Sequence, residues 1–203
     1  AAADGQHLRI SVKRDGRAST IVHAGVAVGD EVELGAPRGS FVLDPAGHDP
    51  VALVSAGIGV TPVLAMLGAL ARSGHEGPVT WIHVARSGAE HAFLDEAREL
   101  LAQLPGATSH VRYTQPGPAE HAGTGFDAVG RLTASDLRSL GVGPETDAYV
   151  CGPDRFMADV SAILAAEGLD PARIHTEAFG AAAPGKASTP PHAPEPPAAN
   201  GYD

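Results

Sequence analysis

The stretch VALVSAGIGVTPVLAMLGAL, residues 51–70, decides the fold. Its opening, Val51 to Val54, is a short apolar run of the kind that fills a parallel strand covered on both faces. Gly57 and Gly59 then permit turns and close backbone approaches that a Cβ would obstruct. Thr61 is placed to cap a helix and Pro62 to occupy its first position, where the missing N–H is no loss. Val63, Leu64, Leu67 and Leu70 supply that helix's apolar face, and Gly74 is placed to end it. A strand, a glycine turn and a helix start in this order aim backbone N–H groups at an anion.

A second landmark, YVCGPDRFMADV at residues 149–160, repeats the logic of strand, small-residue turn and helix. Neither turn alone is specific. The first is G-x-G-x-T-P and lacks the third glycine of the dinucleotide fingerprint, so an ordinary βα turn is an equal reading of it by itself.

Between and around the landmarks, strand and helix patterns alternate, the mark of a parallel sheet with right-handed crossovers. Strands are expected at residues 51–54, 79–85, 110–114, 148–151 and 173–178, giving a five-stranded parallel α/β domain over residues 51–180. Ser87 and Glu90 have capping-box spacing for a helix running to about residue 104, and Thr133 with Asp136 caps another. A helix is expected at residues 155–167. The polar loop 115–130 is too long for a simple connection, which marks it as functional or mobile.

Residues 1–50 read differently. LRISVK at 8–13 alternates as a half-buried strand, Ser19 is a candidate cap for a short helix, Gly29-Asp30 a turn, and 32–34 a second strand. These do not close a barrel, so the segment is expected to be the end of an antiparallel β domain whose beginning lies outside the chain. Beyond residue 180, six of the last 23 residues are proline and no aliphatic side chain exceeds alanine, so residues 181–203 are expected to be extended linker.

Composition narrows the classes of function. The net charge of −10 argues against nucleic acid as a partner. No apolar run approaches the length of a membrane span, and the opening AAADGQHLRIS has no basic-then-apolar leader, so a cytoplasmic setting is expected. Cys151 is the sole cysteine, which excludes an internal disulfide and a four-cysteine cluster within the chain. The ten histidines form no metal-binding pattern, and His83 reads as a packed core residue. No G-x-S-x-G nucleophile motif occurs.

AGIGVTPVLAML and YVCGPDRFM, with GDEVELGAPRGSF at 29–41 and IHTEAFG at 174–180, resemble the ferredoxin-NADP reductase superfamily, specifically the reductase modules of flavohemoproteins and related multidomain flavin reductases. The resemblance covers residues 8–180. It implies hydride transfer from NAD(P)H to FAD, followed by electron transfer to a haem or iron-sulfur partner. In this family's terms residues 1–50 are the rear of the FAD-binding β-barrel, and Ser19 and Thr20 lie beside the FAD pyrophosphate. Gly57, Ile58, Gly59, Thr61 and Pro62 face the pyrophosphate of the nicotinamide cofactor, and Cys151, Gly152 and Pro153 its nicotinamide end. Phe179 covers the flavin ring and Glu177 stands near the transfer site.

Plainer readings stand beside these. Ser19 is a helix cap, Phe179 a core residue and Cys151 a small buried hydrophobe. Arg86 and Ser87, just after the second strand, occupy the adenosine-ribose position; the arginine tilts the expectation toward NADPH, while a solvated arginine and a capping serine explain them equally. The proline-rich tail favours a ferredoxin downstream over a globin upstream, the latter implying nitric oxide dioxygenase activity. A truncated nucleotide-binding module without flavin or catalysis is the rival of another class.

Overall fold

A computed structural model describes the backbone of residues 2–3 and all atoms of residues 7–36 and 38–179. The expected linker at 181–203 lies outside the described residues. Two short strands, β1 (Ala2–Ala3) and β2 (Leu8–Arg9), pair antiparallel and are followed by helix α1 (Gly16–Gly25). The rest alternates as β3 (Val51–Ala56), α2 (Val60–Ser73), β4 (Val79–Ala85), α3 (Leu94–Leu101), β5 (Ala107–Tyr113), β6 (Ala128–Val129), α4 (Ala134–Ser139), β7 (Asp147–Cys151), α5 (Asp154–Ala166) and β8 (Ile174–Glu177).

Strands β3 to β8 form one parallel sheet in the order β6-β5-β4-β3-β7-β8. It has one strand more than the sequence pattern gives. The addition, β6, is a two-residue strand inside loop 115–130, too short to leave a periodic signal. Every residue of β3 and of β4 is buried, as expected of central strands covered on both faces.

The sheet divides the core in two. Leu53, Trp81, Leu67 and Leu104 pack on the side of α2 and α3, joined by Leu43 and Phe41 from the preceding segment. Val54, Ile82, Val150 and Leu164 pack on the side of α4 and α5. Removing a fully buried leucine such as Leu53 from such a layer costs about 2–5 kcal/mol.

Local starts and stops depart from the sequence in instructive ways. A 3-10 turn, Gly57–Gly59, precedes α2, so the helix begins earlier than expected; its N-cap is Gly59, and the Thr61 hydroxyl donates to the Ile58 carbonyl at 3.1 Å instead of capping. Ser87 makes no side-chain cap, because Gly88–Glu90 closes its own 3-10 turn, and α3 begins only after Phe93, which adopts a left-handed φ of 62°. The α2 stop at Gly74, φ 66°, and the Thr133–Asp136 capping box are as expected.

In the first fifty residues the expected strand at 8–13 contracts to Leu8–Arg9, and 32–34 forms no strand. Val26, Val28, Val32 and Leu34 are all exposed, so their alternation has no ladder partner to pair with. Ser19 lies within α1, whose N-cap is Asp15, and is therefore not its cap.

Candidate functional site

In the sheet order, β3 has the earlier half of the domain on one side and β7 and β8 on the other. A crevice opens outside the carboxyl ends of two strands at such a reversal. The glycine turn after β3 and the Cys151–Gly152–Pro153 turn after β7 meet there. They meet closely: a Cβ built on Gly59 would lie 2.2 Å from the Cys151 carbonyl oxygen and 2.6 Å from the Gly152 nitrogen. One on Gly152 would lie 2.8 Å from the Phe156 ring and 3.2 Å from Ala56.

Gly57 has the opposite character. Its φ is +54°, and a Cβ there would meet nothing within 4 Å, because it borders open space. On one side lies a cavity of about 490 Å³ reaching Ser11, Lys13, Ile58, Thr61 and Phe179. On the other lies one of about 480 Å³ reaching Arg86, Glu90, Arg131 and Arg155. Gly57, Ala56, Lys13 and Pro153 line both, so the two are halves of one cleft running across the switch point. Each half lies within the usual range for small-molecule sites, about 300–1,000 Å³. The Val60 N–H at the start of the 14-residue helix α2 bonds back to the glycine turn, and the helix lends the cleft the positive end of its dipole. An extended, glycine-floored cleft beside a helix start fits a dinucleotide diphosphate.

Beyond Thr61 and Phe179 a further cavity of about 260 Å³ is lined by Arg9, Pro62, Phe93 and Glu177. Phe179 is thus a wall between two cavities. At 55 % exposure it is no core residue.

The structure brings most of the sequence-derived residues together and separates a few. Gly57, Ile58, Thr61, Gly152, Pro153 and Phe179 border the first half of the cleft and Arg86 the second, while Pro62 and Glu177 face the cavity beyond. Gly59 is buried and serves the approach of the two turns. Ser87 precedes the 3-10 turn beside Arg86, whose guanidinium pairs with Glu90 at 3.2 Å. Ser19 and Thr20 turn their hydroxyls onto their own helix: Ser19 donates to the Asp15 carbonyl at 2.6 Å and Thr20 to that of Gly16 at 2.8 Å.

Cys151 is fully buried. Burial, and after it the charge of Glu177, push its thiol up to about 12, with a hydrogen bond at Gly152 acting the other way. At neutral pH it is a neutral thiol, which makes it a poor nucleophile. In register, Glu177, Cys151, Ser55 and His83 stand side by side across four strands. Ser55 Oγ and His83 Nδ1 are 2.9 Å apart, His83 stacks on His91, and His91 Nδ1 lies 3.0 Å from the Tyr113 hydroxyl. Burial foremost, then the neighbouring His91, lowers His83 to about 3.

Lys13, Arg131, Arg155 and Asp159 of the second half were not singled out by motif.

Fold and site together define a dinucleotide-dependent oxidoreductase domain. Residues 53–162 match the family model of the Oxidoreductase NAD-binding domain, and the chain belongs to that family. It is 40 % identical over 187 residues to the flavohemoprotein of Chromobacterium violaceum, covering 88 % of this chain and 46 % of that protein. To the flavohemoprotein of Deinococcus radiodurans it is 42 % identical over 176 residues, covering 86 % and 43 %. The chain therefore spans less than half the length of these relatives. Among solved structures, the flavohem-like FAD/NAD binding domain of nitric oxide dioxygenase from Vibrio cholerae superposes with a TM-score of 0.70 at 37 % identity, over 82 % of this chain and 65 % of that one. In sequence and fold the chain is thus similar to the reductase modules of flavohemoproteins, within the ferredoxin-NADP reductase superfamily.

Proposed function

We propose that the cleft holds the pyridine dinucleotide with its diphosphate at Gly57, Ile58 and the start of α2, its nicotinamide at Gly152 and Pro153, and its adenosine toward Arg86. The observation that carries this is the continuity of the cleft across Gly57 and Pro153 at the switch point. FAD supplies, when bound, the acceptor for the hydride and the means of passing electrons on singly.

The chain's own residues then position and shield. Phe179 covers the ring-binding position and, being half exposed, has little burial to lose on swinging aside. Cys151, a neutral thiol that holds its proton, shapes the floor. Residues 1–50 are the rear of the flavin-binding barrel; exposed Leu8, Ile10, Val32 and Leu34 are the apolar side chains that such a barrel would cover. Ser19 and Thr20 reach FAD phosphate in this reading by exchanging their bonds to Asp15 and Gly16 for bonds to the ligand.

A haem group is the acceptor favoured by flavohemoprotein relatives at 40 % and 42 % identity, in place of the iron-sulfur acceptor to which the proline-rich tail points. Nitric oxide dioxygenation is then the activity of the longer protein, and the cytoplasm its setting.

The test is reconstitution. Purified chain given FAD should turn yellow and reduce ferricyanide with a reduced pyridine dinucleotide. A colourless protein that binds the dinucleotide and reduces nothing would be the nucleotide-binding module without flavin. Folded protein that takes up neither NAD⁺ nor NADP⁺ would end the reading.

A further inference from the structure

We propose that the cavity enclosed by β4, β5, α3 and the end of loop 115–130 is a ligand site separate from the dinucleotide cleft, and that it takes a small aromatic carboxylate. Its volume is about 240 Å³, and it shares no lining residue with the cleft or with the cavity beyond Phe179. A cavity of about 150 Å³ accepts benzene, so this one has room for a single ring with its substituents and none for a dinucleotide.

Part of the wall suits a ring. Leu101 and Val111 present aliphatic surface from α3 and β5. Phe126 adds a ring that is itself held in place by stacking on Tyr113, with centroids 4.4 Å apart and planes 21° apart. Gly123 and Gly125, with φ of +90° and +151°, border the space with bare backbone, since a Cβ on either would meet nothing within 4 Å.

The rest of the wall suits an anion. Trp81 is 1 % exposed, and its indole N–H makes no hydrogen bond among the described residues. That nitrogen is not sealed inside the core with the unpartnered ring nitrogens of His75 and His83, so the cavity is the space it opens on. Arg98 stands in the same wall, and its nearest carboxylate, Asp95, lies at 3.7 Å, too far for a hydrogen bond. The Arg98 charge is felt in the interior: after burial it is the largest influence lowering His91. Asp127 is the one acid in the lining; it is half exposed to water, and its Oδ2 already accepts the Val111 N–H at 2.7 Å. A neutral ring would leave the guanidinium and the indole N–H unanswered, and an aliphatic anion would leave the aromatic surface uncovered. An aromatic carboxylate satisfies both, its ring against Phe126 and its oxygens toward Arg98 and Trp81.

Trp81 is the sole tryptophan, so its indole N–H gives one resonance in proton–nitrogen correlation NMR and reports on the cavity directly. Titration with benzoate should move that resonance and the amides of Gly123 and Gly125 saturably, with a Kd of about 1 mM or tighter, whether or not NAD⁺ is present. Benzyl alcohol should bind about tenfold more weakly, and Arg98→Gln should bring benzoate down to the same level. Ser109→Phe, which places a ring at an exposed lining position, should block both ligands in a chain whose circular dichroism is unchanged. No saturable shift of the Trp81 resonance up to about 10 mM benzoate overturns the proposal. A shift that R98Q and S109F leave untouched, or displacement of benzoate by NAD⁺, overturns it as well.

Discussion

The α-carbon of Gly59 and the carbonyl of Cys151 face each other with no room for a methyl group between them: the Cβ of an alanine would lie 2.2 Å from that oxygen. Two turns remote in sequence are fitted together at this point, and the cleft floor is their joint surface. The contact is with backbone, so neither partner yields by rotating a side chain.

Gly59→Ala is therefore expected to force the β3 and β7 turns apart, lowering the melting temperature and abolishing dinucleotide uptake in calorimetry. Gly57→Ala is the matched control. As a control for stability it meets no protein atom within 4 Å and should cost the fold only the left-handed backbone preference, about 1–2 kcal/mol, although its methyl would enter the cleft.

Cys151 should resist alkylation. With its thiol pushed up to about 12, mass spectrometry after iodoacetamide at pH 8 should show the folded protein unmodified and the urea-unfolded protein modified. The unfolded thiol ionises near its ordinary value while the folded one keeps its proton, so the unfolded state binds fewer protons at alkaline pH. Stability falls as pH rises from about 9 toward 12 on this account.

His83 gives the opposite limb. The unfolded ring takes up a proton near pH 6.5 and the folded one only near 3, so stability falls as pH drops between these values. His91, lowered to about 4, mainly by burial, adds to the same slope. The urea midpoint of the wild type should decline more steeply from pH 6.5 to 4 than that of S55A/H83F, which keeps a ring in the stack and removes both polar partners.

Arg112 holds the loop strand. Its guanidinium donates to Asp136 at 2.7 and 2.8 Å, to the Val129 carbonyl at 2.6 Å and to that of Gly130 at 3.3 Å. Arg112→Ala takes the guanidinium from a largely buried carboxylate, which keeps only its Thr133 cap bonds and the His110 ring at 3.6 Å, and should cost about 3 kcal/mol, with hydrogen exchange rising first at Ala128 and Val129.

Phe179→Ala separates a cover from a core residue. Little packing is lost at 55 % exposure, so the unfolding midpoint should move by about 0.5 kcal/mol or less, while the kcat for dye reduction and the nicotinamide KM should change.

What could be read from the chain followed how much of each signal was local. β4 was legible to the residue, because VTWIHVA is buried throughout and bounded by proline and a charged residue. Thr133 and Asp136 were legible because a capping box is a four-residue device. Thr61 and Ser87 misled for the same reason: their hydroxyl chemistry suits a cap, and only the tertiary fit of the glycine turns decides where each helix begins. β6 was beyond reach. It depends on Arg112, a partner that sits in another element. Residues 8–13 and 32–34 carried a strand pattern of which only Leu8–Arg9 pairs, with β1, so alternation there predicted more regular structure than forms.

The sheet's margins carry one more consequence. β6 has two residues and β8 four, and charged groups crowd both: Arg112 and Asp136 beside one, Arg173, Asp147 and His175 beside the other. A long bare flank would invite hydrogen bonding to a neighbouring chain and aggregation, and these stubs offer almost none. Edges this short give the central ladder little means of recruiting foreign strands when other folded units crowd against it.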